Sequence, residues 1–278
     1  MYKNLLVNIP TERSPQPAID GAISLAARCQ ARLDAVSVGY ESSSIPLVAE
    51  GGAAVAAIFE DEREKALERA HAALAIFETE AKRAGVTYST RAISTLPSEA
   101  AAILGATARL YDLAIVAQPE FERDTFDNTL AQEILYQSGG PVLFMPYTFK
   151  GAFHARRVGI CWDGSRLAAR AVRDAMPLLE QAEAITIITI NAASSVPADA
   201  SAAHLMRYLS RLGVPTEIDS VKTEKANIQS SILSLAADES LNLLVMGGYG
   251  HSRLKETVFG GVTREMLESM TVPTLMSH

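Results

Sequence analysis

The stretch VMGGYGHSRLKETVFGGVT, from Val245 to Thr263, decides how the rest of the chain is understood. Its glycines fall in two short clusters, one ending at Gly250 and the other starting at Gly260. Glycine loses more backbone freedom on folding than any other residue, so such clusters need a reason in an ordered region. They are either turns or a backbone that closes around a ligand. The sequence on either side of the stretch bears on that choice.

Apolar strands and amphipathic helices alternate on both sides of the chain's midpoint. In the second half, a predicted strand RVGICWD (Arg157–Asp163) starts the alternation, and the apolar segment NLLVM leads directly into the first glycines. The first half has the same order, from KNLLVNIP (Lys3–Pro10) through a long amphipathic helix (Val55–Gly85) to PVLFMPY (Pro141–Tyr147). This alternation predicts parallel sheets that are covered by helices on both faces.

The two halves also resemble each other in sequence. The segment DLAIVAQ in the first half corresponds to NLLVMGG in the second, and RAGV corresponds to RLGV. A repeat of about 130 residues is far too long for a solenoid, so it indicates a duplicated domain. The predicted fold class is α/β, with two doubly wound, five-stranded, parallel-rich sheet domains. The predicted domains are residues 1–149 and 150–278, joined within the polar stretch Tyr147–Arg156.

The glycine stretch lies at the carboxyl end of the fourth predicted strand of the second half. In doubly wound sheets, ligands bind beyond the carboxyl ends of the strands, where the strand order reverses. The stretch is neither a Walker A loop nor a dinucleotide fingerprint, which would follow the first strand. Its position favours a ligand site, although glycines after a strand are also ordinary turn residues.

The spacing Gly247-x-x-Gly250, then nine residues, then Gly260-Gly261-Val262-Thr263, resembles the nucleotide loop of the universal stress protein family. The family pattern is G-x2-G-x9-G-(S/T). The resemblance covers essentially the whole chain, strongly in the second half and only architecturally in the first. It implies a tandem member with a duplicated fold like that of the adenine nucleotide alpha hydrolases. It also implies ATP as ligand, with or without Mg²⁺, held by the second domain.

Physical chemistry supports a phosphate site at these glycines. Gly247 and Gly250 would let the backbone approach phosphates where a Cβ would intrude. Gly260 and Gly261 precede the last predicted helix, whose free N–H groups and positive dipole end favour an anion. In the family pattern Val262 and Thr263 continue the same loop.

The resemblance assigns two further residues to the adenine end of the site. Asp163, at the end of the first strand of the second half, would accept a hydrogen bond from the exocyclic amine of adenine. Ile190, at the end of AITIITI, would offer backbone groups and an apolar surface. The alternative for Asp163 is that it or Ser165 caps the next helix, as both residue types do well.

One position departs from the family pattern. Gly261 stands where the family has serine or threonine, so a hydroxyl contact to phosphate is missing. Thr263, two residues later, matches a further family position and would supply a hydroxyl.

The first half departs much further, and we expect it to have lost nucleotide binding. Its first strand runs into NIPTER without an aspartate, and its fourth strand runs into AQPEFERDTFDNTLAQE without a glycine. Four acids, Glu120, Glu122, Asp124 and Asp127, make that loop acidic, which would repel phosphate.

Composition narrows the classes of partner. The formal net charge of −7 argues against nucleic-acid binding, which normally needs a basic face. No apolar run is long enough for a membrane span, and the N-terminus does not read as a signal peptide. With two cysteines in apolar contexts and no metal spacing, the expected location is the cytoplasm. The expected partners are an adenine nucleotide, the other half of the same chain as a pseudo-dimer and, as a further option, a second copy.

The sequence offers no strong catalyst, because no Ser–His–Asp, Cys–His or metal-ligand arrangement is recognisable. The leading hypothesis is an ATP-binding universal stress protein that uses the nucleotide as a regulatory ligand. Two alternatives remain open at this point: a structural or adaptor protein with a relict loop, and an enzyme that hydrolyses nucleotide slowly.

Overall fold

The computed structural model describes residues 1–42, 52–191, 196–248 and 261–278; of residues 52–54 it describes the backbone only. Gly250 and Gly260 lie outside the described residues. Ten strands and eight α-helices are seen in the described part, and they follow the alternation that the sequence predicts. The predicted α/β fold, with five parallel-rich strands in each half, is confirmed.

The first half contains five strands and four helices in strict alternation. Its long helix ends at Gly85, whose φ of +67° is the left-handed conformation typical of glycine after a helix. The elements are β1 (Asn4–Ile9), α1 (Gln16–Cys29), β2 (Arg32–Tyr40), α2 (Gly52–Ala84), β3 (Tyr88–Thr95), α3 (Pro97–Ala108), β4 (Leu113–Ala117), α4 (Phe126–Gln137) and β5 (Val142–Met145).

The second half repeats the order, with short 3-10 turns beside its second and third helices. The elements are β6 (Arg157–Cys161), α5 (Arg166–Leu179), β7 (Ala184–Ile190), α6 (Ala202–Leu209), β8 (Thr216–Val221), α7 (Ile228–Asp238), β9 (Leu243–Gly247), α8 (Val262–Ser269) and β10 (Thr274–Ser277).

The two halves share one ten-stranded sheet. Its order is β3-β2-β1-β4-β5-β10-β9-β6-β7-β8, so each half has the same internal arrangement, read outward from the middle. All pairs within a half are parallel, whereas β5 and β10 pair antiparallel, with Leu143 opposite Leu275. The carboxyl ends of the strands therefore lie at opposite edges of the sheet in the two halves.

Helices cover both faces of this sheet. Buried residues of α1, α2, α5 and α6 form a core on one face, and those of α3, α4, α7 and α8 form a core on the other. Each core draws residues from both halves of the chain. Strand residues alternate between the cores: Leu5 and Val7 of β1 face the first, and Leu6 faces the second. Within the described residues, no helix is both long and apolar enough to cross a membrane.

The strand order of the second half reverses between β6 and β9. From this point β7 and β8 continue in one direction and β10 in the other, so the carboxyl ends of β6 and β9 flank the crevice where such sheets bind ligands. Gly247 ends β9 on the face covered by α5. A Cβ at Gly247 would lie 2.8 Å from the backbone nitrogen of Ala168 and 2.8 Å from the carbonyl carbon of Leu167. Glycine is needed here because the first turn of α5 passes directly over the strand end.

The shared sheet predicts that the chain unfolds as one unit. We expect Leu275→Ala to lower the free energy of unfolding by about 2–5 kcal/mol, because Leu275 is fully buried and a cavity would remain. Denaturant titration followed by circular dichroism should show a single transition at a lower midpoint. Leu110→Ala is the control, since Leu110 is 84% exposed and its loss should change stability by about 0.5 kcal/mol or less. Two separate transitions, of which only one shifts, would contradict a shared unit.

The contact between Gly247 and α5 predicts a cost for any side chain at that position. Gly247→Ala should destabilise the protein by about 1–3 kcal/mol, because backbone atoms of α5 cannot rotate away from an added methyl group. The matched control is Gly140→Ala, where the nearest atom to an added Cβ is the carbonyl oxygen of Tyr111 at 3.9 Å. Thermal melts without nucleotide measure both. Equal melting temperatures for the two variants would show that α5 does not constrain Gly247.

Candidate functional site

Asp163 follows β6 at the carboxyl edge of the second half, and its side chain is exposed. Its Oδ1 accepts a hydrogen bond from the backbone N–H of Ser165 at 2.9 Å. Ser165, in turn, caps α5: its Oγ accepts from the N–H of Ala168 at 3.1 Å. The helix cap is thus supplied by Ser165, and the carboxylate of Asp163 faces solvent beside the crevice.

Gly164 lies between these two residues for a geometric reason. Its φ is +74°, and a Cβ would lie 2.6 Å from Cγ1 of Val196. A residue with a side chain would be strained at this φ and would also collide with the segment that follows β7. Gly164 therefore fixes the turn that presents Asp163.

Trp162 is a structural residue of the same turn. Its Nε1 donates to the carbonyl oxygen of Ala200 at 2.8 Å, and its half-buried ring packs against the core that contains α5. Burial and the nearby Asp163 carboxylate raise the pKa of the neighbouring Cys161 thiol to about 12, so it is protonated at neutral pH. Neither side chain offers a reactive group to a ligand.

Ile190 ends β7 beside the end of β6, with a half-buried side chain on the core shared with α7 and α8. Backbone groups along a strand point alternately to its two neighbours. Asn191 donates its N–H to Val221 in β8, and Ile188 accepts from Trp162 on the β6 side. The N–H and C=O of Ile190 therefore point toward β6, beyond the residue at which that strand ends.

Gly261 is the N-cap residue of α8, with φ −89° and ψ 139°. Its carbonyl oxygen accepts the first helical bond, from Glu265 N–H at 3.1 Å, and among the described residues no side chain caps this helix end. The N–H groups of the first turn, which includes Val262 and Thr263, have no partner inside the helix. Thr263 has a side chain that is buried, at 6% exposure, whereas Val262 is half-buried.

Arg264 is held at the surface of α8 by two contacts. Its Nε lies 2.8 Å from Oε1 of Glu268, and its guanidinium carbon lies 5.9 Å from the ring centroid of Phe121 in the first half. A second contact between the halves is deeper: Nε2 of the fully buried Gln118 donates to the carbonyl oxygen of Leu267 at 2.9 Å. The first half therefore touches α8 at both of its ends.

Two hydrogen bonds join the loops after β7 and β8, one strand beyond the crevice, and the sequence did not predict them. Asn191 has a left-handed φ of 50°; its Nδ2 donates to the carbonyl oxygen of Thr223 at 2.7 Å and its Oδ1 accepts from the N–H of Thr223 at 2.9 Å. These two residues and residues 220–222 and 224 line an open groove of about 620 Å³. An asparagine directly after a predicted strand was the available signal, because asparagine tolerates this conformation.

The corresponding edge of the first half is occupied by its own side chains. A carboxylate oxygen of Glu12, in the loop after β1, accepts from the N–H of Phe126 at 2.7 Å, at the start of α4. Desolvation raises the pKa of Glu12, against the lowering effect of that N–H group. Asp127 was predicted to belong to an acidic loop that repels phosphate, and this was wrong. It lies in the first turn of α4, is 1% exposed and binds the loop after β1.

Groups of three or more histidine, cysteine, aspartate or glutamate side chains that could hold a metal ion are not found in the described ranges. The described site thus consists of an exposed carboxylate, strand-end backbone groups and a helix N-terminus that no described side chain caps, around one crevice. Asp163, Ile190, Gly247 and Gly261 are all at the carboxyl edge of the second half, as the sequence predicts. Their roles toward a ligand stay predictions.

Comparisons with known proteins agree with this architecture. Residues 154–278 match the model of the universal stress protein family. A universal stress protein from Archaeoglobus fulgidus DSM 4304 superposes with a TM-score of 0.72 at 13% identity, covering 98% of this chain and 95% of that one. A putative universal stress protein from Pseudomonas aeruginosa UCBPP-PA14 superposes with a TM-score of 0.58 at 15% identity, covering 99% and 93%. No curated protein matches the sequence.

At these identities the two superpositions show the fold alone, and they extend it over both halves. The family model matches the second half, where the crevice and the N-terminus of α8 lie. The second half therefore contains a domain that matches the universal stress protein family, and the first half repeats its fold.

Proposed function

We propose that the second half binds ATP in the crevice between β6 and β9, and that the nucleotide is a regulatory ligand of a cytoplasmic stress-response protein. The observation that carries this proposal is the N-terminus of α8, which no described side chain caps, at the strand-order reversal of a domain that matches the universal stress protein family. The N–H groups of its first turn and the helix dipole suit phosphate oxygens. In a chain with net charge −7, such local donors are what an anion requires.

The remaining residues suit the two ends of the nucleotide. The exposed carboxylate of Asp163 would accept from the exocyclic amine of adenine, and the backbone of Ile190, which points past the end of β6, would meet the edge of the base. Gly250, Gly260 and Gly261 would bring backbone to the phosphates. Mg²⁺, when present, would be held mainly by phosphate oxygens.

Gly247 supports this proposal less than the sequence alone suggested. Packing against α5 already requires glycine there, whether or not a ligand is bound. That observation favours the alternative of an adaptor protein with a relict loop, so nucleotide binding has to be tested at positions that packing does not explain. Asp163 and Gly261 are such positions.

The antiparallel β5–β10 pairing supports a further part of the proposal, that the two halves act as an intramolecular pseudo-dimer. An isolated half would expose one of these strands as a free edge, which invites association. Binding is therefore better measured on whole-chain variants than on separate halves.

For the whole chain we expect one ATP per molecule and a loss of affinity in Asp163→Ala. A hydrogen bond to a charged group contributes about 1.5–3 kcal/mol, which corresponds to a roughly 10- to 100-fold higher Kd. Isothermal titration calorimetry measures both quantities, and mass spectrometry of freshly purified, denatured protein detects co-purified adenylate. Asp238→Ala is the control, because this exposed aspartate ends α7, away from the crevice. No ATP binding by the wild type, or equal Kd values for both variants, would favour the adaptor protein.

Gly261→Ser restores the residue type that the family pattern has at this position. The φ of −89° is accessible to serine, so the substitution adds no backbone strain. We expect ATP to bind about 3- to 30-fold more tightly, because a hydroxyl bond to a charged phosphate outweighs the ordering of the side chain. AMP, which lacks the outer phosphates, should gain less. Calorimetry with both nucleotides gives the answer, and weaker ATP binding by the variant would show that α8 does not hold phosphate.

A further inference from the structure

We propose that the first half holds its own anion: the carboxylate of Glu12 substitutes for an external anionic ligand at the N-terminus of α4. The N-terminus of α4 is then occupied by a side chain of the same chain, and only the second half is left to bind external ligands. The inference concerns α4 and the loop after β1 and does not depend on the identity of the nucleotide in the second half.

The carboxylate lies where an anion bound to α4 would lie. Oε2 of Glu12 accepts from the N–H of Phe126 at 2.7 Å and from the N–H of Asp127 at 3.4 Å, so one oxygen meets the first two amides of a twelve-residue helix. These amides have no partner inside the helix and carry its positive dipole end. The N-cap residue, Thr125, makes no side-chain cap of its own.

A second pair of hydrogen bonds runs from the N–H groups of the loop after β1 to Asp127 of α4, and it fixes that loop. Oδ2 of Asp127 accepts from the N–H of Thr11 at 3.0 Å and from the N–H of Glu12 at 2.9 Å. Its other oxygen, Oδ1, accepts from the hydroxyl of Tyr40 at 2.8 Å. The loop after β1 and the first turn of α4 thus exchange carboxylate–amide bonds, and Glu12 is held over the helix end.

Arg13 supplies an independent observation that this pocket is built for negative charge. Its side chain is only 7% exposed, and Nη2 reaches the carbonyl oxygens of Ala117 at 3.1 Å and Asp127 at 3.4 Å. Its Nη1 donates to the carbonyl oxygen of Gln118. The remaining donor, Nε, is buried and makes no hydrogen bond with any described residue. A buried guanidinium beside the helix end has a cost unless negative charge lies nearby, and Asp127 provides it first, then Glu120 and, with a smaller effect, Glu12.

The duplication gives an internal comparison for this arrangement. α4 and α8 occupy the same place in the two halves, each between the fourth and fifth strands. In the first half the helix end receives a carboxylate from the loop after the first strand. In the second half the corresponding loop presents Asp163 to solvent, and no described side chain caps α8. The N-terminus of α4 binds a carboxylate of the same chain, whereas no described side chain binds the N-terminus of α8.

The pocket around Glu12 is connected to α8 through Gln118. The carbonyl oxygen of Gln118 accepts from Arg13, and the side chain of the same residue donates to Leu267 near the end of α8. Gln118 therefore links the pocket around Glu12 to α8 of the other half.

The test removes the carboxylate of Glu12 by substitution and supplies a small carboxylate, formate, in solution. Glu12→Ala should lower the Tm by about 2–5 °C, a typical cost for losing a helix cap in a chain of this size. Sodium formate in the millimolar range, compared with sodium chloride at the same ionic strength, should restore at least half of that loss and should saturate. Glu12 is exposed, so formate can reach the vacated position. The assay contains no nucleotide, so its outcome is separate from that of the ATP proposal.

Two control variants make the result decisive. Glu122→Ala removes the same charge from an exposed position in the loop before α4, and it should neither lose Tm nor respond to formate. Glu12→Gln keeps an acceptor for the N–H of Phe126 and fills the position but removes the negative charge, so its Tm should fall by about 1–3 °C, without a formate effect.

Either of two results would overturn the proposal: equal Tm values for Glu12→Ala and Glu122→Ala, or the same formate effect in both. If Glu12→Ala does not fold in chloride but folds in formate, the proposal is supported. If it folds in neither, Glu12→Gln decides, and a Tm equal to that of the wild type counts against the built-in anion.

Discussion

The antiparallel pairing of β5 with β10 is the contact on which the rest of the molecule depends. Without it, the chain would be two five-stranded sheets, each with an apolar edge strand open to solvent. With it, Leu143 and Leu275 are fully buried in the middle of one sheet, and both cores extend across the joint. Contacts such as Gln118 with Leu267, and Tyr2 with the carbonyl oxygen of Asp174, exist only because the halves are held in this register.

The same pairing determines where chemistry can occur. Parallel strands bring their carboxyl ends to one edge, and the antiparallel joint places those edges on opposite sides of the sheet in the two halves. The two edges differ in the groups that lie at them. The edge of the second half has an exposed carboxylate and a helix N-terminus that no described side chain caps, whereas a carboxylate, a guanidinium and a tyrosine hydroxyl from the same chain fill the edge of the first half.

Most of the fold could be predicted from the sequence, because buried parallel strands and amphipathic helices leave strong local patterns. Gly85 ends its helix as the sequence predicts, and Asp163 and Gly261 lie at the predicted edge. Asp127 was misplaced because its acidic neighbours suggested a solvated loop. Its real partners, Thr11 and Glu12, are more than a hundred residues away, and no local pattern reports such a contact. For the same reason the sequence did not predict that α5 packs over Gly247. A glycine required by a ligand and a glycine required by a helix are the same in the sequence.

The covalent joining of the two halves has a genetic consequence. In a symmetric homodimer, every substitution appears in both copies, so a residue that fills one ligand site also fills the other. In this chain, the codon for Glu12 affects one edge of the sheet and leaves the edge with Asp163 unchanged. Gene duplication followed by fusion therefore allowed the two sites to diverge, while the joint between β5 and β10 kept them in a single folding unit.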